Sequence, residues 1–195
     1  MDFRRAAGAS LFVGAVQFVT GMHAAEYLYP GYSVSENVIS DLGATCRETC
    51  TIYQPSASIF NSSIILLGLL ILSCSYFIWR EFRKSLITAL FCLCGLGAIG
   101  VGLFPETARL LHIIFSYMAF VFGGLGAIAA SKVVKSPFSY FSILMGIGSI
   151  AATVLLSANI FLGLGPGGME RMIAYPILLW MISFGGYLMS PRHAG

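Results

Sequence analysis

The residues able to do chemistry in this chain are few, and they gather in a handful of stretches. His23 and Glu26 are three apart, and Glu106, Arg109 and His112 are spaced by three, so each set would share one face of a helix. Asn37 and Asp41 are four apart with Ser40 between them, and Asn61 follows soon after. His112 has the chemistry of a general base or a metal ligand, with Asp41 or Glu106 to orient it or supply a second ligand. Arg109 would meet a phosphate or an oxyanion. The catalytic candidates are therefore His112, Asp41, Glu106 and Arg109. The ligand-binding candidates are Asn37, Ser40, Asn61, His23 and Glu26. His23, Glu26 and His112 could complete a His/His/carboxylate site for a divalent metal. The same two histidines could ligate a haem, a more demanding arrangement because both are required.

Each candidate has a plainer alternative. Glu106 and Arg109 would make a helix-entry ion pair. His112 would hydrogen-bond a neighbouring carbonyl, His23 would reach the membrane interface, Asn61 would bridge two helices, and Asn37 and Asp41 would tie down a loop. Glu170 and Arg171 are expected to be solvated in the last outer loop. No HExxH, GxSxG or His-x-x-x-His pattern is present, so the sequence names no reaction.

These residues sit in a chain that is otherwise membrane. Only 10% of residues are charged and 57% are hydrophobic, and the mean hydropathy is +0.86. A soluble domain needs a larger polar skin. A span takes roughly 20 apolar residues, and the spans read as 6–28, 56–79, 85–104, 110–130, 137–161 and 172–189. The fold class is all-α: a polytopic bundle of six transmembrane helices in a single domain over 1–195. The 22 glycines suit close helix packing in lipid. The first run is too long and too polar within for a signal peptide, and is kept as a helix.

The positive-inside rule sets the orientation. Arg4, Arg5, Arg80, Arg83, Lys84, Lys132, Lys135 and Arg192 fall on one side, against Arg47, Arg109 and Arg171 on the other. Both termini are expected in the cytoplasm of a cell-membrane protein. The net charge of +3 carries no indication of nucleic acid, because the basic residues stand at helix ends. Cys46 and Cys50 fall in the first outer loop and are a disulfide candidate, with two free thiols as the alternative. Cys74, Cys92 and Cys94 fall within spans and read as packing residues.

Each outer loop carries a proline near its start: Pro30, Pro105 and Pro166. Gly102-Leu103-Phe104-Pro105 is followed by Phe122-Gly123-Gly124, and Gly163-Leu164-Gly165-Pro166 by Phe184-Gly185-Gly186. Helices three–four and five–six thus read as parallel copies, with the first hairpin a diverged third. In the long first loop, Val34, Val38, Ile39 and Leu42 predict a short amphipathic helix over Ser35–Leu42, ended by Gly43 and lying as a lid over the spans.

The run Tyr29-Pro30-Gly31-Tyr32-Ser33, then Asn37-Val38-Ile39-Ser40-Asp41-Leu42-Gly43, then Phe60-Asn61, Gly102-Leu103-Phe104-Pro105 and His112 resembles a prokaryotic family of small six-span membrane proteins, domain of unknown function number 998. The resemblance covers nearly the whole chain. It implies the six-span architecture and singles out Asn37, Ser40, Asp41, Asn61, Pro105 and His112, without implying a reaction. The expected function is an outward-facing polar pocket for a lipid or other amphiphile, with hydrolase or transferase activity an open extension. The alternatives are a transporter, a haem- or quinone-binding protein, or a structural subunit. Membrane lipids are the expected partners, with a homo-oligomer or another membrane protein as further candidates.

Overall fold

The computed structural model describes residues 2–46 and 49–191. Arg47 and Arg192, two residues of the charge pattern, lie outside the described residues. Six helices in the described residues are long and apolar enough to cross a membrane: α1 (Phe3–Leu28), α2 (Ser56–Phe82), α3 (Ser85–Leu103), α4 (Leu110–Ala130), α5 (Phe138–Ser157) and α6 (Gly165–Met189). The shortest, at 19 residues, is about 28 Å long, close to the thickness of a hydrocarbon core.

Local chemistry sets several boundaries. Asp2 caps α1, its Oδ1 accepting the Arg5 N–H at 3.1 Å. Arg83, left-handed at φ 53°, ends α2 by donating its N–H to the Trp79 carbonyl. The last hairpin differs from expectation: α5 stops at Ser157 and α6 starts at Gly165. Asn159, Leu162 and Gly163 take positive φ, which ends α5 early. Pro166 does not close the preceding helix; it opens the next, in the first turn where a missing N–H costs nothing. Glu170 and Arg171 therefore ride on a helix instead of a loop.

The helices close into a ring. Each packs on its neighbours in sequence, α6 returns to α1, and α4 also touches α6. At three interfaces a glycine faces a glycine, backbone to backbone. A methyl group at Gly8 would lie 2.6 Å from the Gly185 carbonyl oxygen, one at Gly68 2.6 Å from that of Gly95, and one at Gly146 2.5 Å from that of Gly124. These are the α6/α1, α2/α3 and α4/α5 seams, the three junctions between successive hairpins. Small residues let the backbones meet, giving the dispersion contact that holds helices together in lipid.

The ring has two unlike ends. The basic end carries the start of α1, the α2–α3 and α4–α5 turns and the end of α6, with Arg4 donating to the Ser190 and Tyr187 carbonyls. The other end carries the α1–α2, α3–α4 and α5–α6 connections. Residues 29–46 and 49–55 form a strap across it. Within the strap, β1 (Thr45–Cys46) and β2 (Cys50–Thr51) pair antiparallel, Thr45 opposite Thr51 and Cys46 opposite Cys50, and the Cys46 and Cys50 sulfurs are bonded at 2.09 Å.

Candidate functional site

The strap is not an amphipathic helix over Ser35–Leu42. It is a run of turns followed by one 3-10 turn, Ile39–Leu42, with all four residues buried. The cause is competition for the backbone. The Asn37 side chain turns back to accept the Ser33 N–H (3.0 Å) and donates to Asp41 Oδ2 (2.8 Å). The Val34 and Asn37 carbonyls, which a helix would use internally, instead accept from Arg171 at 3.0 and 3.2 Å.

Arg171 is the hub of this end. It is 3% exposed, not solvated as the sequence suggested. Its guanidinium also donates to the Gly167 carbonyl (2.9 Å) and the Tyr32 hydroxyl (2.8 Å), and it pairs with Glu26 at 2.5 Å. One side chain of α6 therefore binds α1, its own first turn and the strap. Tyr32 passes its proton on to the Val38 carbonyl (3.1 Å), and burial pushes its phenol above the usual range even beside Arg171. The backbone meets closely here, the Gly167 N–H donating to the Ser35 carbonyl at 2.8 Å. A side chain at Gly167 would collide with the Asn37 carbonyl.

Two carboxylates hold the rest of the strap. Glu170, 6% exposed, accepts the Ile39 N–H at the start of the 3-10 turn. Glu106 accepts from Ser40 Oγ (2.9 Å) and the Cys46 N–H (3.1 Å). Burial, reinforced by the charge of Asp41, raises the Glu106 carboxyl above its ordinary range; Ser40, Cys46 and His112 pull the other way.

The expected Glu106–Arg109–His112 stripe is broken. Residues Glu106–Ala108 form a 3-10 turn, and Arg109 at φ 26° separates it from α4. Arg109 is exposed, and Glu106 engages the strap in its place. His112 is buried, its Nδ1 2.9 Å from the Phe104 carbonyl and its Nε2 3.3 Å from Ser116 Oγ. A carbonyl only accepts, so Nδ1 carries the proton and Nε2 presents a lone pair to the serine. His23 stands on the exposed side of α1 with Nδ1 against the Val19 carbonyl (2.8 Å). It does not join His112, and Glu26 goes to Arg171. Among the described residues no three His, Cys, Asp or Glu side chains gather to hold a metal ion. Asn61 Oδ1 is buried against Gly43 with no hydrogen-bond partner among the described residues.

Beneath the strap lie two cavities. A central chamber of about 80 Å³ has walls that are apolar apart from Ser40, Ser116, Cys94 and Glu170, with Phe18, Phe60, Ala98 and Met181 among the rest. A lateral pocket of about 180 Å³ lies between α4 and α5, lined by His112, Tyr117, Thr153 and Ser157 with Ile113 and Leu156. Ser40, Ser116, Phe120 and Glu170 line both, so the cavities meet there. Each volume exceeds the ~10–15 Å³ that one water needs. Of the residues singled out in the sequence, the cavities use Ser40 and His112; Asn37, Asp41, Glu106 and Glu26 hold the strap above them. Ser116, Glu170 and Arg171 were missed as site residues. Ser116 had a signal in its spacing of four from His112, and Glu170 and Arg171 had one in Pro166 as a helix-opening residue.

Residues 12–187 match the model of a family described as "Protein of unknown function (DUF998)". No curated protein and no solved structure matches the chain.

Proposed function

The chain belongs to the DUF998 family, and we propose that it is a multi-pass cell-membrane protein that holds an amphiphile at the strap end of its helix ring. The observation that carries this reading is the junction of the two cavities. An apolar chamber meets a lateral pocket whose largely apolar walls carry His112, Tyr117, Thr153 and Ser157, and the two join at Ser40, Ser116 and Glu170. That is the division a molecule with a chain and a head requires, with apolar walls for bulk and a few polar groups for orientation. The whole chain acts as one transmembrane unit. The basic end faces the cytoplasm by the positive-inside rule, which puts the strap and its disulfide on the outer, oxidising side.

In this reading Ser40 and His112 face the ligand, and Asn37, Asp41, Glu106 and Glu26 position the strap. Asn61 supports the strap from α2, and His23 and Arg109 take no part. The test is solvent extraction and mass spectrometry of protein purified from its native membrane, compared with Ala98→Phe, which fills the chamber. An amphiphile that co-purifies with the native protein and is depleted several-fold in the variant is the expected result. Equal lipid content in both would refute the reading.

One observation favours a hydrolase as a second reading: the His112 Nε2 lone pair stands beside the Ser116 hydroxyl, the arrangement of a general base and a nucleophile. Fluorophosphonate labelling of Ser116 that is lost in His112→Gln would support it.

A further inference from the structure

The protons of the side chains lining the two cavities can be accounted for one by one. Ser40 Oγ donates to Glu106. Ser116 Oγ gives its proton to His112 Nε2, because His112 Nδ1 donates to the Phe104 carbonyl. Thr153 donates to the Ser149 carbonyl and Ser157 to the Thr153 carbonyl. Tyr117, 2.6 Å from Ser157 Oγ, must then be the donor in that pair. The Cys94 thiol turns to the Ala119 carbonyl. What the walls offer a ligand is lone pairs and one buried carboxylate, Glu170. Among the described residues no lysine or arginine lines either cavity. The adjacent Arg171 lines neither cavity: its two terminal nitrogens are engaged by Glu26, Tyr32 and three carbonyls, and its Nε is buried without a partner among the described residues.

An anionic head would meet acceptors and a carboxylate there, with no cationic side chain among the described lining residues to replace its water. A head that brings its own donors and a positive charge would satisfy Glu170 and the open lone pairs together, forming charge-assisted hydrogen bonds. The route to Glu170 is lateral. The lateral pocket lies between α4 and α5, where Ile113 and Tyr117 are exposed on the outside of the ring. The Tyr117–Ser157 hydrogen bond bridges the two helices across this opening. The Gly124–Gly146 contact draws the same helices together further along, toward the basic end.

We propose that the site takes an amphiphile with a protonated amine head, entering from the bilayer between α4 and α5, its ammonium on Glu170 and the first carbons of its chain at the central chamber with the remainder left in the bilayer, and that it discriminates against phosphate heads. This rests on the amphiphile reading above.

The test uses the full-length protein in phosphatidylcholine nanodiscs and dodecyl probes with a diazirine on the carbons next to an amine, hydroxyl or phosphate head. Cross-linked peptides are mapped by mass spectrometry. The expected result is labelling of chamber residues such as Phe120 and Met181 by the amine probe, competed by dodecylamine and not by dodecyl phosphate. In Glu170→Gln, which keeps an acceptor for the Ile39 N–H, the amine's apparent affinity should fall about tenfold or more. If the phosphate or the alcohol competes as well as the amine, or Glu170→Gln labels undiminished, the head-group assignment is overturned while an amphiphile site stands. If none of the three probes labels the chamber, the amphiphile site itself fails. The head-group series on the native protein decides the matter even if the variant does not fold.

Discussion

Replacing Arg171 by methionine should release the strap while leaving the helix ring standing. Arg171 makes one ion pair and four further hydrogen bonds, and its side chain is 4% exposed against 14% for Glu26. Methionine keeps much of the volume but leaves Glu26 and the Val34 and Asn37 carbonyls without this donor. Removing one member of a buried pair costs about 3–5 kcal/mol, and each deserted buried acceptor costs about 1–3 kcal/mol if water cannot reach it. The strap can relax toward water, so the lower figure is the appropriate one. A loss of ~3 kcal/mol raises the strap's open population about a hundredfold. Hydrogen exchange at the Asn37, Asp41 and Gly43 amides, all bonded within the strap, should accelerate by that factor. Amides in the middle of α2 and α3 should not change. Arg171→Lys should recover only part of the effect, because an ammonium cannot span the guanidinium's acceptors. Strap exchange within about threefold of the native rate in Arg171→Met would refute the claim that Arg171 holds the strap. Equal acceleration throughout the ring would refute the claim that strap and ring open separately.

Three further outcomes follow from the same geometry. Because the folded protein holds Glu106 protonated to higher pH than its ordinary 4.5, its contribution to stability should decline as pH rises from there through the raised value; Glu106→Gln should flatten that part of a melting-temperature profile. Gly68→Leu should destabilise by about 1–3 kcal/mol or more, since its first carbon already meets the Gly95 carbonyl at 2.6 Å; Gly148→Leu, where no atom lies within 4 Å, should melt like the native protein. Alkylation without reductant should spare Cys46 and Cys50 in the folded and the denatured chain alike, and reductant should expose both to the reagent in mass spectrometry.

Much of this protein was legible in its sequence because the membrane imposes so blunt a rule. Lipid offers the backbone no hydrogen bonds, so long apolar runs must be helices. Their number, the family and the division into a basic end and a loop end follow from runs, motifs and lysine and arginine positions. The ends of the helices did not follow as well. Left-handed residues ended α5 early, and the helix-opening role of Pro166 moved Glu170 and Arg171 from an imagined solvated loop into the core. Spacing grouped His23 with Glu26 and Glu106 with Arg109, because spacing assumes an unbroken helix and an inward face. A positive φ at Arg109 broke one group, and Arg171 took Glu26 from the other. Which carboxylate holds which amide, which proton is already committed, and where a chamber meets a lateral pocket all depend on residues far apart in the chain. Ser40 with Glu106, Ile39 with Glu170 and Val34 with Arg171 are such pairs. The sequence alone determined that polar residues would collect at one end of the bundle. Only the closing of the ring decided which of them face one another, because α6 must return to α1 before Arg171 can reach Glu26 and draw the strap down between them.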